Sequence, residues 1–143
     1  MTGRAVVVEF RDSASALGPL RTVLGLADAG SVQILDLEFV RSIRGVPSTA
    51  LASGVDPRLA ACDHLNTGLL SQADLDTTVA ALTGGSMAAV LIYRGGPVAP
   101  DTWAGEVRVV LEGPVADADL DAAPAQGIDL LREAHPRTGD GPT

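Results

Sequence analysis

Apolar residues recur along this chain with two different periods. In "AVVVEF" (5–10) they alternate, with Val6, Val8 and Phe10 on one side and Ala5, Val7 and Glu9 on the other, the period of two that defines a strand. The polar run "RDSAS" follows, offering Ser13 or Ser15 as a helix cap. Leu17, Leu20, Leu24 and Ala27 then return at helical spacing as far as Gly30, which suits the left-handed position after a helix, while Pro19 falls in the first turn.

The period of two resumes in "VQILDLEFVR" (32–41). It places Leu35, Leu37 and Phe39 on one face and Ile34, Asp36, Glu38 and Val40 on the other, so two carboxylates share a strand face with branched apolar residues. By the same alternation Glu9 of the first strand belongs to that mixed face. A short edge strand over 48–51 closes a hairpin across "SIRGVP", and "ASGVDPRLAACDHLNTG" (52–68) shows no regular period.

"LLSQADLDTTVAAL" (69–82) predicts a helix. Ser71 and Asp74 have the spacing of a capping box, Leu70 can staple onto Leu75, and Leu75, Val79 and Leu82 form the buried stripe. "TGGS" ends it, and "MAAVLIYR" (87–94) reads as a central strand because its apolar run is nearly continuous. "PVAPDTWAGE" allows one helical turn, "VRVVLE" (107–112) is a strand with Arg108 and Glu112 on one face and Val107, Val109 and Leu111 on the other, and "VADADLDAA" opens a last helix that Pro124 interrupts.

This order predicts a ferredoxin-like α+β sandwich: a mixed, mainly antiparallel sheet, helices on one face and a C-terminal helical extension. Residues 1–135 form the single domain and 136–143 a disordered tail. The uncovered face would then carry Glu9, Asp36, Glu38 and Arg108 among Val7, Ile34, Val40 and Val110.

Composition narrows the chemistry. All ten basic residues are arginine, against eighteen carboxylates, for a net charge of −8. Such a surface repels a polyphosphate backbone, and aromatics at 3% are too few for base stacking, so nucleic acid is not an expected partner. Without lysine there is neither a Schiff-base nucleophile nor a phosphate-loop ammonium. The lone Cys62 cannot close an internal disulfide, "MTGRAVVVEF" holds no signal segment, and no apolar run reaches the ~20 residues of a membrane helix. A cytoplasmic protein without a membrane partner is expected.

The blocks "VVVEF", "GSVQILDLEFVR", "TGLLSQADLDTTVAALTGGSMAAVLIYRG" and "VLEGPVADADLDAA" resemble the actinobacterial family known as domain of unknown function 6325, itself similar to the domain of unknown function 1269 family. The resemblance spans about residues 5 to 123 and lies in the order of the blocks. It implies a ferredoxin-like α+β domain with no established activity, cofactor or catalytic residue.

Other motifs fall short of a site. "DADLD" starts like a calcium loop, but Ala122 stands where glycine is needed and Ile128 where a bidentate glutamate closes the shell; acids in the first turn of a helix explain it better. Cys62 and His64 are half a zinc site, and a small buried thiol beside an exposed imidazole is the simpler reading. "TGGS" follows a helix instead of opening one, and Trp103 suits the sealing of a core edge. No catalytic residue, metal or cofactor is assigned.

The candidates that remain are Glu9, Asp36, Glu38 and Arg108. A buried carboxylate without a partner costs several kcal/mol, so these acids must be solvated on an open face, paired with Arg108 or Arg94 where two sheets meet in a homodimer, or set in a ligand pocket with one as general base. The homodimer accounts for acids and branched apolar residues together. The expectation is a non-enzymatic homo-oligomer that uses this face for itself or for a protein partner; the alternative is a small enzyme or ligand-binding protein with an acid-lined pocket.

Overall fold

The computed structural model describes residues 3–96, 98, 100–103 and 105–136. Strands β1 (Gly3–Phe10), β2 (Val32–Ile43), β3 (Val46–Ala50), β4 (Met87–Gly95) and β5 (Arg108–Val115) form one open sheet in the order β3-β2-β4-β1-β5, with every neighbouring pair antiparallel, which corrects the expected mixed sheet. Between and after them come helices α1 (Ser13–Asp28), α2 (Ala52–Val55), α3 (Gln72–Ala80) and α4 (Asp117–Gln126), with 3-10 segments at Pro57–Leu65 and Pro100–Trp103. The fold is α+β. The tail from residue 137 lies outside the described residues.

β4 occupies the centre of the sheet, where an apolar run can be buried on both faces, and Ala88 to Tyr93 are buried throughout. β1 keeps the expected alternation: Val6, Val8 and Phe10 pack toward α1, and Ala5 and Val7 toward the opposite side. α1 starts one residue before the expected serine caps, because the Asp12 carboxylate accepts the Ala14 N–H at 3.0 Å. The β2–β3 turn is Arg44-Gly45, both with positive φ (53° and 79°), the signature of a type I′ hairpin. That two-residue turn starts β3 at Val46, ahead of the expected 48–51.

The expectation of helices on one face is corrected by the packing. α1, the 3-10 segment Pro57–Leu65 and Trp103 cover one side of the sheet through Leu17, Leu20, Val23, Leu59 and Cys62. α3, α4 and the segment at 128–134 cover the other through Leu75, Val79, Leu120, Leu130 and Leu131. The mixed face is therefore interior at Glu9, Asp36 and Glu38, while the Arg108 side chain is exposed, and neither an open solvated face nor a sheet-to-sheet dimer contact remains at the three acids.

Two bulges correct the predicted faces. In β2 the register shifts between Ile34 and Asp36, so Ile34 joins Leu37 and Phe39 on the α1 side while Leu35 turns to the α3 side with Val40. In β5 a shift opposite Val7/Val8 places Val110 and Leu111 together on the α3/α4 side and leaves Val107 and Val109 facing α1. α4 also runs through Pro124 to Gln126, and Gly127, at φ 61°, caps it in the left-handed conformation. The β5 edge is closed by the C-terminal segment, where Glu112 and His135 exchange two 3.0 Å backbone hydrogen bonds.

Candidate functional site

The two carboxylates of β2 are fully enclosed: Asp36 is 0% and Glu38 5% exposed. The loop that delivers α3 to their face satisfies them. Asp36 accepts the N–H groups of Thr67 (2.8 Å) and Leu69 (3.2 Å) and the Thr67 hydroxyl (3.2 Å), while Glu38 accepts the Leu70 N–H at 3.2 Å. The Thr67 hydroxyl also donates to the carbonyl of the bulged Leu35 at 2.7 Å. β2 thus holds residues 67–70 by their backbone, which fixes where α3 begins.

Glu38 also hydrogen-bonds the neighbouring Asp36 side chain. Burial, then the hydrogen bond to Asp36 and its negative charge, push the Glu38 carboxyl up to about 8, so at neutral pH it carries a proton and donates it to Asp36. A proton held on Glu38 avoids placing two neighbouring charges together in the interior.

α3 carries the next buried acid. The expected capping box is present, with Ser71 Oγ accepting the Asp74 N–H and Asp74 accepting the Ser71 N–H, each at 3.1 Å. Asp74, 1% exposed, also accepts the N–H groups of Leu130 and Leu131 at 2.9 Å, tying the C-terminal segment to the start of α3. Only the capping role had a sequence signal, because residues 56 and 57 positions away leave no local pattern.

Glu9 and Arg108 meet across the β1–β5 pair at 2.8 Å, on the shared face that the alternation predicts. Glu9 also accepts the Thr83 N–H (2.6 Å) and the hydroxyls of Thr83 (3.0 Å) and Ser86 (2.8 Å), which fixes the "TGGS" turn after α3. Burial opposes its charge, but these donors outweigh burial and its carboxyl lies below the usual range. Neither Glu9 nor Arg108 bonds to Asp36 or Glu38, and Arg94 lies 3.4 Å from Asp117 and Asp121 of α4. The four candidates are thus brought together on one face as two separate groups.

The remaining motifs are placed apart. Cys62 is buried in the α1-side core, where burial and the neighbouring Asp63 charge raise its thiol, while His64 is exposed. Asp117 and Asp119 sit in the first turn of α4, and Trp103 packs in the core. Among the described residues no group of three His, Cys, Asp or Glu side chains is arranged to hold a metal ion, and no helix is long and apolar enough to cross a membrane.

Four surface cavities of about 400 to 590 Å³ are lined by residues other than the predicted four. The largest, 590 Å³, lies between the end of α1 and the 3-10 segment, beside Leu24, Ile34 and His64. Two others share Arg11, Arg41 and Met87; the two arginines lie 30 positions apart, so no local pattern in the sequence links them. Comparison with protein-family models, with curated proteins and with solved structures finds no match to this chain.

Proposed function

We propose that this is a non-enzymatic cytoplasmic protein that assembles as a homo-oligomer, and that two copies meet at the open edge of the sheet along β3. The observation that carries this reading is the character of that edge. Among the described residues β3 has a neighbour on one side only, and the three exposed large apolar side chains, Ile43, Val46 and Leu51 (44%, 63% and 50%), flank or begin it. From Gly45 to Val55 there is no charged residue, so copies of net charge −8 can approach there with least repulsion.

The edge is self-complementary. In a two-residue hairpin Ile43 and Val46 form the hydrogen-bonded pair, so the polar backbone groups of Pro47 and Thr49 point outward. A twofold axis at Thr49 pairs its N–H and C=O with those of the second copy and sets the Leu51 N–H against the Pro47 carbonyl. Proline has no N–H to give in return, and the Leu51 carbonyl opposite it already accepts from Gly54 (2.9 Å) and Val55 (3.3 Å).

A ferredoxin-like reading fits this arrangement: β1–α1–β2 brackets β4 and β4–β5 brackets β1, with α3 and α4 added on the second face. It also fits the resemblance to a family without catalytic residues. The alternative, an acid-lined pocket, is disfavoured because Asp36, Glu38 and Asp74 already take hydrogen bonds from the chain itself.

Light scattering over a concentration series tests the reading. The wild type should be a dimer, and Thr49→Pro a monomer with a nearly unchanged melting temperature, since the lost N–H points away from β2. A wild-type monomer at roughly 100 μM, or a dimer that survives both Thr49→Pro and Leu51→Asp, rejects it.

A further inference from the structure

We infer that the groove between Arg11 and Arg41, beside the Thr83–Ser86 turn, binds the phosphate of a small organic phosphate monoester. Arg41 stands opposite Met87 in the β2–β4 pair, and Phe10 stands opposite the same Met87 from β1. Arg11 follows Phe10, so the sheet sets two arginines on either side of one residue at one end. A cavity of about 450 Å³ opens there, bordered by both arginines, Ser42 and the turn.

The turn is shaped and locked for this role. Gly85 has φ 81°, and a guanidinium nitrogen of Arg11 lies 3.8 Å from where a Cβ on it would be, so Arg11 reaches over the turn backbone. The Thr83 and Ser86 hydroxyls and the Thr83 N–H are committed to Glu9 beneath, whereas the N–H groups of Gly84 and Gly85 have no acceptor among the described residues. Two guanidinium forks with two free backbone donors supply more hydrogen bonds than a carboxylate can use and match a tetrahedral dianion.

The surroundings favour an anion with an organic part. No carboxylate lines this cavity, and neither arginine is ion-paired to one among the described residues. Asp12 lines only the adjoining cavity, and its side chain accepts from Ala14. Val79, Leu82 and Met87 form an apolar wall, and the volume exceeds what inorganic phosphate alone fills.

Titration of the full chain with phenyl phosphate and with inorganic phosphate at fixed ionic strength, read from the amide resonances of Gly84 and Gly85, tests this site. Saturable shifts at both glycines are expected, with phenyl phosphate binding more tightly. Arg11→Gln or Arg41→Gln should weaken binding roughly tenfold or more, and Arg21→Gln, on the exposed side of α1, should leave it unchanged. No saturation by about 10 mM, equal weakening by Arg21→Gln, or equal affinity for the two probes would overturn the inference.

Discussion

Glu38 donates its carboxyl proton to Asp36, two residues earlier on the same face of β2, and both acids take the backbone N–H groups of the loop that leads into α3. The strand tolerates two buried acids because they hold its own covering layer in place. Thr67, Leu69 and Leu70 turn their N–H groups to these acids, and without them three part-buried donors would lose their acceptors.

Truncating Asp36 removes the acceptor from two backbone donors at once. Asp36→Ala should destabilise the fold by up to about 2–6 kcal/mol, each donor left without its acceptor costing ~1–3 kcal/mol and less where water reaches it. Asp36→Asn, which keeps an acceptor oxygen, should lose less. Denaturant unfolding of the two variants checks the order.

The proton on Glu38 makes stability depend on pH with a definite sign. Between its ordinary 4.5 and about 8, the folded chain holds a proton that the unfolded chain releases. Stability therefore falls as pH rises through that window, with a slope of at most about 1.4 kcal/mol per pH unit, and is flat in this respect below and above it. Glu38→Gln keeps both an acceptor for Leu70 and a donor for Asp36 without a titrating group, so the difference between variant and wild type should grow from pH 5 to pH 8. A constant difference contradicts the assignment.

Glu9 should behave in the opposite way. Its folded carboxyl lies below the unfolded value, so its contribution is present above 4.5 and is lost as pH falls through the folded value. Glu9→Gln should cost about 1–3 kcal/mol at neutral pH, and the cost should shrink in acid. Thermal melts of both proteins from pH 7 downward measure it.

The elements were mostly legible in the sequence because each carries a local signal. β1 alternates without interruption, α3 has its capping box, and β4 has the unbroken apolar run of a central strand. The shared face of Glu9 and Arg108 also followed from alternation, but their ion pair within one chain did not, because it depends on the β1–β5 register, which shifts one step away between Val7 and Val8. The faces of Ile34 and Leu35 were not legible: a bulge is set by the pairing with β4, and one residue of slip exchanges the sides. Nor was the second helical layer, since what brings α3 and residues 129–131 to the far face is backbone bonding to Asp36, Glu38 and Asp74 across more than thirty positions. The 3-10 segment behind Asp56-Pro57 left only its cap as a trace.

Gly113 tests the closure of the second sheet edge. A Cβ there would collide with the Glu133 carbonyl and the Ala134 backbone, where the C-terminal segment crosses β5. Gly113→Ala should cost about 1–3 kcal/mol and free the Glu112 and His135 amides to exchange, while leaving the β1–β4 amides protected.

Amide hydrogen exchange at residues 67–70 tests the account most directly. The Thr67, Leu69 and Leu70 amides should be protected in the wild type almost as strongly as the central strand, and Asp36→Asn with Glu38→Gln should lower protection at these positions first. Exchange of the three amides at the rate of an open loop in the wild type would contradict the claim that the β2 acids anchor the layer that covers them.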